Sequence, residues 1–349
     1  PSIEDKIYRF PKRDEHYLYL EPEWHNSNQV YLNGFSTSLP MSTQIKALRV
    51  VPALKNLELL RPGYAIEYDF FPPSQLKITL ESKALSGLFL AGQINGTSGY
   101  EEAAGQGLVA GINSAMFVLN KRPLLLSRED SYLGVMLDDL TTKDTLEPYR
   151  MFTSRAEYRL LLRYSNAERR LIKHSDKHNL LTKAELSLLQ KKIDLTRAVV
   201  DATRTSLGPK ALNRVLRKKG EPPVKQKKPI KVILKRPGIS IKDFKDTVLN
   251  GALKGSDLFL PLIEEAVLEA ETIIKYDGYI KRQKEQIKKL SSINKKKIPY
   301  NFDYKGLVGL SSEAKEKLST IRPETLGQAM RVSGVNPSDV AVLSVFLYK

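Results

Sequence analysis

The chain has 349 residues, room for roughly two domains with a sizeable core, and its 41% hydrophobic and 27% charged residues are the balance of an ordinary globular protein. It has no cysteine, which excludes disulfides, thiolate metal sites and a cysteine nucleophile within these residues; no apolar run approaches the roughly 18 residues of a membrane span, and no signal-peptide core follows residue 1. The net charge of +17 is unevenly placed: residues 1–163 carry 18 Lys and Arg against 19 Asp and Glu, while the rest carry 38 against 20.

In chain order, strand-like runs lie at Ile7–Phe10, Tyr17–Leu20, Val30–Leu32 and Tyr64–Phe71, and Ser42–Val51 reads as a short helix capped by Ser42. Leu88 to Ala91 have the composition of a buried strand. Gly92, Gly96 and Gly99 then allow a sharp turn and a close backbone approach to a ligand. Glu101 to Leu119 reads as a helix whose Ala103, Ala104, Gly107, Ala110, Gly111, Ser114 and Ala115 leave a face of little bulk. A helix opening after such a turn presents N–H groups and a positive dipole end to an anion, phosphate included. Simple tight packing of a helix on a sheet would look the same, and no GxGxxG follows a strand-like run anywhere in the chain.

Further on, Thr153 or Ser154 with Glu157 forms a capping-box pattern. A helix from there sets Arg155, Arg159 and Arg163 along one face, with Arg150 before them. The pattern suits a phosphate or cofactor-edge platform, or a helix salt-bridged through Glu147 and Glu157; Tyr149 and Tyr158 can stack on bases or pack. Helical patterns dominate from about residue 165: Lys183–Thr203, Pro261–Lys275, and Tyr276–Leu290 with a stripe of Tyr276, Tyr279, Ile280, Gln283, Ile287 and Leu290. Residues 218–229, rich in lysine and proline, read as an exposed loop, and Lys295–Lys297 as a second basic cluster. Ser311–Ile321, Pro323–Val332 and Asn336–Leu347 read as three short helices. Asn336 caps the last, and Val340, Leu343 and Leu347 form its stripe, as bundle core or docking surface. His174 and His178 share helical spacing without a metal motif such as HExxH, so no metal is expected. The basic second half points to a polyanionic partner, with a solvated lysine-rich surface as the plain alternative.

The wording of several stretches is more specific than their pattern. AGQINGTSGYEEAAGQGLVAGINSA (91–115), PSIEDKIYRF (1–10), RPGYAIEYDFF (61–71) and EPYRMFTSRAEYRLLLR (147–163) closely resemble the MnmG/GidA family of tRNA uridine-modifying flavoproteins. RPGISIKDF (236–244), YDGYIKRQ (276–283) and FDYKGLVGLSSEAKEKL (302–318) continue the resemblance over essentially the whole chain.

That resemblance implies an α/β and α+β fold: a portion of a Rossmann-like FAD/NAD-binding flavoprotein domain followed by a mainly α-helical C-terminal domain. The expected divisions are 1–80, a β-rich nicotinamide-binding or insertion region; 81–163, the rest of the FAD domain with the arginine helix; 164–300, a basic helical domain; and 301–349, a partner-docking subdomain. It implies transfer of a methylenetetrahydrofolate-derived carbon to C5 of the tRNA wobble uridine, with FAD reduced by NADH, a GTPase partner of the MnmE family, and a homodimer. Gln93 is the FAD contact carried over by the motif; Gly92, Asn95, Gly96, Thr97 and Gly99 neighbour it. Pro1, Ser2, Ile3, Glu4, Asp5, Lys6, Arg9 and Phe10 match the nicotinamide-binding segment; Glu4, Asp5 and Lys6 are candidates for nicotinamide, folate or substrate contacts, though three charges on an exposed strand edge would look the same. Arg150, Arg155, Arg159, Arg163, Arg282 and Lys288 are the expected tRNA contacts, and the last helices the GTPase contacts. The family's reactive cysteine precedes the proline matching Pro1, and its first FAD half-site lies earlier still, so the chain alone is expected to be inactive and to hold FAD weakly or not at all. The other readings are a folate- and FAD-dependent tRNA uridine methyltransferase, which lacks such a helical extension, and a non-catalytic tRNA- and GTPase-binding module. The lysine-rich loops suggest the mitochondrial matrix, with the bacterial cytoplasm as the alternative.

Overall fold

The computed structural model describes residues 2–65, 68–143, 147–254, 256–294 and 296–347. The chain divides into two units, Pro1–Asp69 and Phe70–Lys349.

In the first unit, Ser2 accepts a hydrogen bond from Asp5 N at 3.1 Å and starts helix α1 (Ile3–Arg9). Ile7–Phe10 is therefore not a strand. The Ser2 cap, acidic first turn and basic last turn of α1 all favour a helix, and they outweigh a short β-prone run. Strands β1 (Tyr19–Pro22) and β2 (Val30–Asn33) pair antiparallel, Tyr19 opposite Asn33, close to the two runs expected there. Helix α2 (Met41–Val50) begins at Pro40 without a side-chain cap, so Ser42 lies inside it. What fixes this helix is Gln44: its side chain donates to Leu39 O (2.6 Å) and Gly63 O (2.9 Å) and accepts from Gly63 N (2.8 Å). Tyr64–Phe71 forms no strand among its described residues; Ile66 and Glu67 lie outside them.

In the second unit, the expected strand at Leu88–Ala91 is reduced to an isolated bridge between Glu81 and Phe89. Helix α3 (Tyr100–Val118) packs on α4 (Tyr132–Thr142), and Val109, Ala110 and Leu137 join Leu76, Leu80, Leu124 and Leu126 in one core. Among α3's small residues Gly105 meets a helix neighbour and Ala110 joins the core, while Ala104 and Ala115 are exposed. A Cβ on Gly105 would lie 2.5 Å from Leu133 Cδ2, whereas Gly107 and Gly111 face open space. Among the described residues the strand pairs are two antiparallel ribbons, and no parallel sheet is present.

The helical part begins with α5 (Ala167–Lys177) and α6 (Lys183–Ala202), the latter opened by a Thr182/Glu185 capping box. Strand β3 (Ser206–Leu207) pairs with β4 (Lys228–Pro229) around α7 (Pro209–Lys218), so the lysine-rich stretch is a loop framed by ordered elements. Helices α8 (Ile230–Ile233), α9 (Lys245–Ala252), α10 (Leu260–Lys275) and α11 (Asp277–Asn294) follow. Val199, Leu212, Leu216, Ile230, Val248, Ala266 and Ala270 fill their common core. On α11, Ile280 is buried but Tyr279 is exposed, as is Tyr276 at the end of α10, so only part of the expected stripe faces inward.

A further core unites Ala314, Leu318, Ile321, Leu326 and Leu343 from α12 (Ser312–Ile321), α13 (Leu326–Ala329) and α14 (Pro337–Leu347) with Tyr304, which precedes them. The middle helix is one turn long where Pro323–Val332 was expected. Arg322 ends α12 in a left-handed conformation, and a Thr325/Gln328 capping box restarts the chain only at Leu326. Leu343 is fully buried with Val340 and Leu347 packed beside it, which makes that stripe bundle core.

Candidate cofactor cradle and RNA-facing surface

The glycine-rich turn is built as the sequence suggests. Gly92 (φ 85°) and Gly96 (φ 82°) adopt positive φ on either side of a tight turn at Gln93–Asn95. Thr97 closes it, donating to Gly92 O through its backbone N (3.2 Å) and its Oγ1 (3.1 Å). Behind the turn stands Gln106, fully buried on α3, whose Oε1 accepts from Gly92 N (2.6 Å) and Asn95 Nδ2 (3.3 Å). The Gln93 side chain is left exposed, whereas Asn95, Thr97 and Gly99 are buried. Asn95 Oδ1 is buried with no hydrogen-bond partner among the described residues.

The N-terminus of α3 departs from expectation. Its third helical residue, Glu102, is 6% exposed and folds back over the helix start, accepting from Met151 N at 2.8 Å with Arg150 Nε at 3.4 Å. The Met151 N–H bond is the largest influence on this carboxyl and, with Arg150, holds it below the usual carboxylate range against the effect of burial. A Cβ on Gly99 would sit 1.9 Å from Glu102 Oε2, so the glycine makes room for this carboxylate. The anion at the helix end is the protein's own. Glu102 Oε2 is also buried and unpartnered among the described residues.

The segment 150–163 is not a helix. Thr153–Arg155 makes one tight turn without a side-chain cap, Ala156 is extended (ψ 127°), and the arginines go to separate partners. Arg155 Nε donates to Arg150 O (2.8 Å) and its guanidinium lies 4.5 Å from the centroid of the Tyr149 ring. Arg163 pairs with Glu269 of α10 at 2.7 Å, while Arg159 is exposed. Tyr149 is 2% exposed, so it packs and does not offer its ring to a base.

Glu157 serves Arg128 instead of a capping box. Arg128, 8% exposed, reaches Glu157 (2.7 Å), Asp138 (3.0 Å) and Asp139 (2.7 Å). Burial alone would lower the Arg128 pKa, but Glu157, Asp139 and Asp138 raise it. Burial would likewise raise Asp139, yet Lys143 and Arg128 hold it low. Tyr149 OH donates to Asp139 Oδ2 (3.1 Å) and Tyr149 N donates to Gly96 O (2.8 Å), joining this ionic hub to the glycine turn. Glu102, Gln106 and Asn113 could have been found from the sequence as polar residues spaced along the inward face of α3. For Arg128, Asp138 and Asp139 no local pattern announces the partnership.

Of the nicotinamide-segment residues, Ile3 to Arg9 are helical with Ser2 and Phe10 at the caps, and several are engaged internally. Glu4 Oε1 accepts from Thr37 Oγ1 at 2.5 Å, which is the main reason its carboxyl lies below the usual range. Lys6 donates to Gly34 O (2.5 Å), Asp5 pairs with Arg9 (3.4 Å), Ile3 N donates to Ser36 O (2.7 Å), and Phe10 is exposed. Pro1 and Lys295 lie outside the described residues. On α11 the Arg282 guanidinium lies over the Tyr279 ring at 4.7 Å, and Lys288 is exposed.

Three family models match the chain: glucose inhibited division protein A over residues 1–122, the MnmG/GidA C-terminal helical domain over 183–284, and the MnmG/GidA C-terminal helical bundle over 286–349. Two relatives are each called tRNA uridine 5-carboxymethylaminomethyl modification enzyme MnmG. The one from Christiangramia forsetii is 47% identical over 99% of this chain and 55% of its own length; that from Flavobacterium psychrophilum is 50% identical over 99% and 55%. The structure of Aquifex aeolicus GidA in its form II crystal superimposes with a TM-score of 0.77 at 40% identity, covering 100% of this chain and 55% of that one. The chain thus spans about half the length of the curated relatives it matches. These likenesses bear out the expected fold class, part of a Rossmann-like domain followed by a helical domain. With three family models in order along its length and relatives near half identity throughout, the chain belongs to the MnmG/GidA family.

Proposed function

We propose that the chain forms the second wall of the FAD site and the RNA-facing helical part of a flavoenzyme that modifies C5 of the tRNA wobble uridine. The observation carrying this reading is the glycine turn, with its exposed Gln93 and the unpartnered buried oxygens of Asn95 and Glu102. Gln93, Asn95, Thr97 and the backbone at Gly92 and Gly96 would hold the cofactor, which when bound supplies the redox step between NADH and a methylenetetrahydrofolate-derived carbon. Because Glu102 already occupies the α3 N-terminus, the turn favours the uncharged carbonyl and hydroxyl groups of FAD over its phosphates.

The tRNA surface is better drawn from α7 and its flanking loops than from the arginines of 150–163, several of which are bound internally. Residues 202–240 hold 12 Lys and Arg against one acid, Glu221. Lys210, Arg214, Arg217, Lys218, Lys225, Lys227 and Lys231 are all exposed. A GTPase of the MnmE family, a second copy of the chain, NADH and the folate complete the reading. The relatives named above are bacterial, which favours the bacterial cytoplasm over a mitochondrial matrix. The helical C-terminal half argues against the folate-dependent methyltransferase alternative.

Fluorescence titration of the purified chain with FAD tests the cradle. Weak, saturable quenching is expected, with affinity falling about ten-fold in Gln93→Ala, the effect of losing one good hydrogen bond to a ligand. Quenching that is indifferent to Gln93→Ala and to Asn95→Leu would remove the turn from the site.

A further inference from the structure

The C-terminal bundle is joined to α4 by a contact that bundle packing alone does not require. Arg331 lies just after α13, and its guanidinium takes both oxygens of Asp138, Nε to Oδ2 at 2.5 Å and Nη2 to Oδ1 at 2.7 Å. Asp138 and Asp139 are adjacent, 2% and 0% exposed, so two carboxylates are buried side by side and must share cations. Arg128 Nη1 is the shared one, at 3.0 Å from Asp138 Oδ2 and 2.7 Å from Asp139 Oδ1. Asp139 in turn accepts from Tyr149 OH, and Tyr149 N donates to the carbonyl of Gly96. A second tie runs alongside: Lys83 donates to Ser74 O at 2.9 Å and to Ile321 O, the end of α12, at 2.5 Å. Pro73, next to Ser74, packs so near Gly96 that a Cβ there would lie 3.2 Å from Pro73 Cγ.

We propose that Arg331 is a positioning residue for the glycine turn, so that the folded C-terminal bundle sets the geometry of the cradle. Arg331 satisfies Asp138, which leaves Arg128 to hold Asp139 in the orientation that fixes Tyr149 and, through it, Gly96. Without Arg331, Asp138 competes for Arg128 Nη1, Asp139 is left to lean on Lys143 at 2.8 Å, and the Tyr149–Gly96 bond opens more often. That the turn serves a cofactor rests on the function proposed above; the coupling itself does not.

Hydrogen–deuterium exchange of the full chain, resolved by peptide, tests the coupling. In Arg331→Met, exchange over 92–99 and 147–152 is expected to rise about ten-fold, a coupling of ordinary size between sites. Segments 195–199 and 312–321 stay protected. Arg331→Lys, which keeps the charge but loses the two-pronged grip, falls between. Tyr149→Phe produces the same acceleration at 92–99, and the double variant adds little to it. Faster exchange confined to 326–347, no change at 92–99, or additive effects would overturn the proposal. Should Arg331→Met loosen the whole chain, Arg331→Lys decides alone: unchanged exchange at 92–99 in that variant refutes the coupling. If the wild type fails to bind FAD while the exchange response is present, the cofactor reading falls and the coupling stands.

Discussion

Lys83 is the residue whose chemistry is most altered by its place. Burial brings its ammonium group down to about 8, with Glu324 opposing. An unfolded lysine titrates near 10.4, so between about pH 8 and pH 10 the unfolded chain binds more protons than the folded one, and stability contributed through this group rises with pH. Below about 8 the lysine is charged in both states and the cost of burying it is fully present. The difference in urea midpoint between wild type and Lys83→Met is therefore expected to move in favour of the wild type as pH rises from 8 to 10. A flat or opposite trend would show that the burial is not felt. Nothing around Lys83 in the sequence signals this, because its partners are the carbonyls of Ser74 and Ile321, one local and one distant. The glycine turn is the opposite case. Gly92 and Gly96 stand where positive φ is needed, and that requirement is written in the residue type itself.

At the scale of elements, legibility followed how local the cause was. Helices α6 and α12 begin at or beside their expected positions because Thr182 and Ser311 cap them through contacts three residues away. The arginine segment failed because its periodicity of four was real but its partners were not local: Arg163 answers Glu269, and Arg128 draws Glu157 away from the chain's own turn. The four-residue stretches at 7–10 and 88–91 failed because short β-prone runs depend on a neighbouring strand: 7–10 is taken into a capped helix, and 88–91 meets its neighbour in the isolated bridge of Phe89 with Glu81. From the ion pair comes a prediction. Arg163→Ala leaves Glu269, 4% exposed, with Ser165 at 3.0 Å and a distant Arg169 at 3.7 Å as its side-chain partners among the described residues. A loss of about 3 kcal/mol is expected by chemical unfolding, the lower end for breaking a buried pair, with tRNA affinity unchanged apart from that. A large loss of affinity in a variant of undiminished stability would return Arg163 to the RNA surface.

For the molecule as a whole, the charge split was fully visible in the sequence, but where the charge is presented was not. The tRNA contacts were expected on the arginine segment and α11; the structure presents much of the basic excess around α7, where the side chains are exposed. Reversing Arg214 and Arg217 to Glu is expected to weaken tRNA binding at least about ten-fold at low salt and to flatten the dependence of log affinity on log salt, as fewer counterions are released. Equal slopes for wild type and variant would mean that this face is only solvated.

The open flank of α3 has a consequence for engineering. Gly107 and Gly111 sit inside a nineteen-residue helix with nothing within 4 Å of where a side chain would begin. Alanine at each should gain about 0.5–1 kcal/mol simply from helix propensity, raising the melting temperature of the chain without touching a contact. The sequence carries this reserve unspent, and the two substitutions measure how much rigidity the helix gives up to keep that ridge flat.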